Sequence, residues 1–168
     1  MFTVPMIELT LRPITDDDLP FLLKVYAAAR VDELAQVPWS EAEKQAFLTS
    51  QFNAQHHHYQ TYYKTASFDV VEQNGQPIGR FYVDRWTNEI RIVDIALLPA
   101  FRNQGIGSHL LQQIRAEGQA THKTVSIHVE KYNPAYHLYS QLGFQKIGET
   151  GVYDLLAWQP IDQGKAKA

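Results

Sequence analysis

The stretch from residue 68 to residue 98 sets the tightest limit on the fold. "FDVVEQ" reads as a strand, and "NG" (Asn74, Gly75) is a strong two-residue hairpin signal. "PIGRFYVDRW" is the return strand, Thr87 and Asn88 suit a second turn, and "EIRIVDIALLP" is a third strand stopped by Pro99. Strands joined by such short turns form an antiparallel meander. A turn, "FRNQGIGSHLL", follows and opens a helix from about Gly105 to Ala120. Its Ile106, Leu110 and Ile114 share one stripe, with Leu111 beside it. "TVSIHV" is a strand again. A strand, helix, strand unit over residues 89 to 129 implies a parallel crossover beside the meander. The expected fold is therefore α/β: a mixed, mostly antiparallel sheet with helices on both faces.

The flanks fit this frame. "IELTLRP" alternates Ile7, Leu9 and Leu11 as a half-buried strand. "ITDDDLPFLLKVYAAAR" offers a Thr15/Asp18 capping box, three acidic residues at a helix start, and Pro20 in the first turn. "PWSEAEKQAFLTSQF" opens a second helix with Ser40 as N-cap and Glu43 three residues on. "HHHYQTYYKTA" carries no clear period. "NPAYHLYSQLGF" places Asn133 as N-cap, Pro134 at the first helical position, and Gly143 at the end. "QKIGETGVYDLLAWQ" reads as two strands around Gly151. The expected order is β-α-α-βββ-α-β-α-ββ, one domain over residues 1–160 with a polar tail over 161–168.

Composition narrows the chemistry. The formal net charge of −3 gives no broad basic surface for nucleic acid. The absence of cysteine removes disulfides, thiolate metal sites and a cysteine nucleophile, and fits a reducing cytoplasm. The first residues lack a basic region followed by an apolar run, so no signal peptide is expected. No apolar stretch has the length of a membrane span.

The glycine turn places several backbone N–H groups at a helix N-terminus, where an anion is favoured. Gly105 and Gly107 allow close backbone approach, and Arg102 adds a positive charge. A P-loop would end in Gly-Lys-Ser/Thr, whereas Ser108 and His109 follow Gly107 here. The dinucleotide pattern fails at Leu110, where its third glycine would stand. What remains is Arg102-x-x-Gly105-x-Gly107, by itself either a phosphate grip or an empty tight turn.

A second pattern lies about one strand downstream: Asn133, Ala135, Tyr139, Gly143 and Phe144. The pair, R-x-x-G-x-G then N-x-A-x-x-x-Y-x-x-x-G-F, resembles the signature of the GNAT N-acetyltransferase superfamily. "IALLP" also fits the apolar run that precedes the turn there. The resemblance is strongest over residues 68 to 158, and its element order extends to the N-terminus.

The resemblance implies acetyl-CoA as co-substrate. It implies that backbone amides from Arg102 through Asn103, Gln104, Gly105, Ile106 and Gly107 to Ser108 hold the pyrophosphate. It implies that the pantetheine arm pairs with Ile95, Ala96, Leu97 and Leu98, chiefly with Leu97, and that Asn133 bonds the arm. Leu97 also reads as core, and Asn133 also reads as an N-cap. Tyr139 is the implied general acid. A thiol with a pKa of about 8.5 leaves more easily when protonated, and a tyrosine O–H can supply that proton. The bland alternative for Tyr139 is a packed aromatic.

The attacking amine, with a pKa of about 10 when free, must lose its proton. No obvious carboxylate base stands out. Asp94 and Glu89 lie on opposite faces of one strand, and Tyr82 and His128 lie on its neighbours; each also has a structural reading. The resemblance implies an acceptor side at the N-terminal helices, with Trp39, Tyr62 and Tyr63 as pocket or core aromatics. His56, His57 and His58 are adjacent and point in different directions, so a polar surface is preferred to a metal site, and no metal is expected. Arg80, Arg85 and Arg91 read as mostly solvated. The expected activity is transfer of an acetyl group to a primary amine in a ternary complex. The acceptor is taken as a small molecule, with a peptide N-terminus as the variant, and by analogy a homodimer. The alternative is a GNAT-like module that senses acyl-CoA without turnover.

Overall fold

The computed structural model describes residues 8–162. Ile7 of the first expected strand and residues 163–168 of the expected tail lie outside the described residues. The elements are β1 (Leu9–Pro13), α1 (Leu19–Ala28), α2 (Val31–Ala35), α3 (Glu41–Tyr62), β2 (Ser67–Gln73), β3 (Gln76–Arg85), β4 (Glu89–Leu97), α4 (Ile106–Thr121), β5 (Thr124–Glu130), α5 (Tyr136–Gln141), β6 (Gln145–Thr150) and β7 (Tyr153–Trp158). The strands form one seven-stranded sheet in the order β1-β2-β3-β4-β5-β7-β6. The fold class and the element order are those expected, with the short α2 as an addition in "RVDELAQVPW". β4 and β5 are parallel, as the crossover requires.

The chain divides into two units, the first running to Tyr82 and taking in Ile95–Arg102. Here β1 pairs antiparallel with β2 from Leu9↔Gln73 to Pro13↔Asp69. The Thr15/Asp18 box forms at a 3-10 turn, with the Thr15 N–H donating to Asp18 at 2.8 Å. Arg12 grips the same carboxylate with two nitrogens at 2.9 and 2.8 Å. This pairing holds the Asp18 carboxyl down at about 2, with the Thr15 N–H adding to it.

Leu22 and Tyr26 of α1 pack with Leu34, Leu48 and Phe52 as the core beneath the helices. Helix α3 starts at the expected Ser40/Glu43 box and runs on through the three histidines to Tyr62. Only Leu48 and Phe52 of its 22 residues are buried, which is why its second half shows no apolar stripe in sequence.

One expectation fails in this unit. Arg80 is 4% exposed and donates to Gln55 at 2.9 Å, so it belongs to the interior rather than to a solvated surface. Its strand is buried along nearly its whole length, which forces any side chain there to find a polar partner.

The second unit comprises Val83–Asp94 and the chain from Asn103 onward. Ile106, Leu110, Leu111 and Ile114 of α4 are all buried, as their spacing predicts. Strand β5 pairs antiparallel with β7, and β7 with β6, so the last hairpin enters the sheet by its second strand. Arg85 is solvated as expected, its side chain 42% exposed, and it forks onto Glu117 of α4 at 2.5 and 2.9 Å.

Candidate active site

The glycine turn is built from left-handed backbone. Asn103 has φ +60° and Gly105 has φ +84°, and a 3-10 turn over Pro99–Phe101 leads into them. Gly105 is the N-cap of α4, and the first N–H accepted inside the helix is that of His109, on the Gly105 carbonyl at 3.0 Å. The N–H groups of Ile106, Gly107 and Ser108 therefore have no carbonyl inside the helix, and no side chain caps them.

Gly107 sits in the first turn of α4, where alanine would be the better residue by about 1 kcal/mol. A Cβ built on it meets nothing within 4 Å. The fold does not need glycine there, whereas a ligand lying against the backbone does. The turn thus fits a pyrophosphate in charge, donors and space.

Ile95, Ala96 and Leu97 are half-buried, and Leu98 is buried and donates its N–H to Ile78 at 2.8 Å. Arg102 Nε donates to the Leu97 carbonyl at 3.1 Å, so Arg102 shapes the turn through its side chain as well as its backbone. The register of β4 with β5 runs from Glu89↔Thr124 to Ile92↔Ile127 and stops, although β4 continues to Leu97 and β5 to Glu130.

Sequence reasoning missed Gly79 on β3. An added Cβ there would overlap the Ala96 carbonyl oxygen and come within 2.8 Å of the Leu97 side chain. A glycine inside a strand pattern was the available signal of such close approach.

Helix α5 carries Tyr139, which is 5% exposed and lies edge-on to Phe144 at 5.9 Å. Burial, and then the charge of Asp94, push its phenol above the usual range, so it keeps its proton. The helix is clamped by polar contacts. Tyr136 donates to Asp154 at 2.7 Å, Lys131 bridges Asp154 and Glu149, and Arg115 donates to the Leu142 carbonyl at 2.7 Å. Asn133 precedes the helix rather than capping it directly, since α5 begins only at Tyr136. Its Oδ1 accepts the Ala135 N–H at 2.8 Å in a local turn, which leaves its amide donors for another partner.

The remaining candidates separate. Glu89, Arg91, Ser126 and His128 form one network: Glu89 accepts from Ser126 at 2.7 Å and from Arg91 at 3.0 Å, and Arg91 also reaches Ser126 at 2.8 Å and His128 at 3.2 Å. Arg91 is thus no solvated surface residue either. Asp94 acts on Tyr139 instead.

Tyr82 is fully buried, edge-on to Tyr59 and Phe68, and belongs to the core. Trp39 packs edge-on to Phe47 and stays 39% exposed, and Tyr62 is exposed. His56 stacks on Phe52 and His58 lies against Tyr62, so the histidine run is spread along one helix. Burial, then Arg80, lower the His56 pKa.

The family model described as "Acetyltransferase (GNAT) domain" matches residues 55–146. No curated protein matches the chain. Among solved structures, the PaiA N-acetyltransferase from Thermoplasma acidophilum in complex with coenzyme A is similar at 16% identity and TM-score 0.67, covering 90% of this chain and 99% of that one. A GNAT family acetyltransferase from Elizabethkingia anophelis with acetyl-CoA bound is 20% identical with TM-score 0.54, covering 90% and 97%. The ribosomal-protein-S18-alanine N-acetyltransferase from Escherichia coli is 21% identical with TM-score 0.60, covering 96% and 99%. At these identities the structures establish the fold, and the family match covers more than half of the sequence. The chain belongs to the acetyltransferase (GNAT) domain family.

Proposed function

We propose that the chain is a single acetyltransferase domain over residues 1–160 that moves the acetyl group of acetyl-CoA to a primary amine. The observation that carries this is Gly107: a helix-weakening residue with open space above it, beside three N–H groups free of helical partners. The neighbours with coenzyme A and acetyl-CoA bound support the same co-substrate. In this reading the amides of Arg102–Ser108 hold the pyrophosphate. Ile95–Leu98 present backbone to the pantetheine arm, and the Asn133 amide donates to it.

The amine nitrogen attacks the thioester carbonyl carbon, and the C–S bond then breaks. Tyr139 gives its proton to the sulfur, and the proton lost by the amine leaves through water and restores the phenol. A phenol is protonated at neutral pH in any case, and burial keeps the proton on it until charge develops on the sulfur. The acceptor in this reading is a small molecule. A peptide N-terminus is the variant, as the E. coli neighbour acts on an alanine of a ribosomal protein.

One observation favours the alternative of an acyl-CoA sensor: Glu89, a carboxylate on β4, is already engaged by Arg91 and Ser126. Thiol release measured across a panel of primary amines separates the two. Turnover with at least one amine above the hydrolytic background is expected, while binding of acetyl-CoA without thiol release from any of them would establish the sensor.

A further inference from the structure

We propose that Arg91 fixes His128 as a neutral imidazole whose Nε2–H donates to an oxygen of the amine acceptor, so that His128 positions the acceptor and does not take its proton. The role toward the acceptor rests on the acetyltransferase reading; the state of the ring does not.

A guanidinium can only donate. Arg91 directs Nε to Ser126 Oγ at 2.8 Å, one terminal nitrogen to Glu89 at 3.0 Å, and the other to His128 Nδ1 at 3.2 Å. Its side chain is 12% exposed and lies over the Trp86 ring at 5.0 Å, so it is held in this fork. Ser126, 1% exposed, gives its own proton to Glu89 and closes the network. Nδ1 of His128 must then present a lone pair, and the one proton of the neutral ring sits on Nε2.

A second proton on the ring would have to enter at Nδ1, against the Arg91 N–H. Burial first, and then Arg91, lower its affinity for a second proton, with Glu89 acting the other way. On the neighbouring strand β7, Leu155 lies opposite His128 and Ala157 opposite Ser126, and neither titrates. Glu130 on its own strand lies opposite Tyr153. A base would need its lone pair on the accessible nitrogen, but here the lone pair faces Arg91.

Position gives this donor a use. His128 is exposed, and it is the first β5 residue beyond the last registered pair with β4. By strand alternation Asp94, whose charge acts on Tyr139, shares the face of Ile90 and Ile92, while Arg91 and His128 share the other. The acid for the leaving thiol and this N–H thus approach from opposite faces, and they meet at one thioester only past Ile92 and Ile127, where β4 and β5 no longer pair, with the amine entering from the His128 face. A neutral N–H donor suits a carbonyl, carboxylate or hydroxyl oxygen and offers an ammonium, itself only a donor, no acceptor. The acceptors it fits are amines bearing such an oxygen nearby, rather than plain polyamines.

Long-range 1H–15N NMR of the histidine side chains in the full chain, assigned with H128Q, tests the ring state. A neutral His128 protonated on Nε2, titrating below the ordinary value of about 6.5, is expected. An Nδ1–H ring, or an imidazolium at pH 7, overturns the proposal whether or not the chain is an acetyltransferase.

Thiol release with an amino-acid amide and with spermidine tests the role. H128Q keeps an N–H donor and should lose less than about fivefold in kcat/KM for the amide, whereas H128A should lose about 10- to 100-fold, chiefly in KM. The acidic limb of the pH profile should stay in place in both. Equal loss in H128Q and H128A with that limb abolished would make His128 the base and overturn the proposal, as would a preference of the wild-type chain for spermidine.

Discussion

Gly107 carries opposite demands from the helix and from the proposed ligand. With open space above it and an ordinary helical backbone, Gly107→Ala should stabilise the chain by about 0.5–1 kcal/mol in urea unfolding. The same change should weaken acetyl-CoA binding at least about tenfold. A variant that gains stability and keeps its affinity would show that nothing lies against this turn. Tyr139→Phe preserves the ring packed on Phe144 and removes only the hydroxyl. It should lower kcat by roughly 10- to 1,000-fold with cofactor affinity retained, as read by steady-state kinetics beside calorimetry. Because burial and Asp94 raise the Tyr139 pKa, its acid form persists above the usual value of about 10, so it should contribute no fall in rate below that pH.

At the scale of elements, what could be read in sequence followed periodicity and turn chemistry. The meander, the glycine turn, and the stripe of Ile106, Leu110 and Ile114 are local patterns, and each stands where expected. The second half of α3 was unreadable because it buries little, so its helix leaves no apolar period. The Arg91 network was unreadable for another reason: its partners Ser126 and His128 lie 35 and 37 residues away and meet only across paired strands. Gly79 was visible but unread. Its replacement by alanine sets a methyl against the Ala96 carbonyl and should cost about 1–3 kcal/mol in urea unfolding. It should also weaken acetyl-CoA binding, because Ala96 and Leu97 must shift. Full stability in Gly79→Ala would mean that the end of β4 gives way freely.

At the scale of the whole molecule, the sheet order could be argued from sequence as far as the parallel β4–β5 crossover. The insertion of β7 between β5 and β6 could not, since a hairpin can join a sheet edge by either strand. Global stability should also carry a mark of Asp18. Its folded pKa of about 2 lies below the ordinary value of about 3.9, so its contribution is complete above about pH 4 and is lost as pH falls toward 2. The contribution is at most about 2–3 kcal/mol, and less after screening, since the Arg12 side chain is 37% exposed. Urea unfolding between pH 5 and 2 should show this loss in the wild-type chain and a smaller one in Asp18→Asn; equal slopes would remove the Arg12–Asp18 pair from the stability of the fold.

The most direct test of coenzyme A recognition is a calorimetric titration of acetyl-CoA into the full chain at neutral pH. One site per chain with a Kd of about 1–100 µM is expected. No heat of binding up to about ten times that range would contradict both the grip assigned to residues 102–108 and the acetyl transfer built on it.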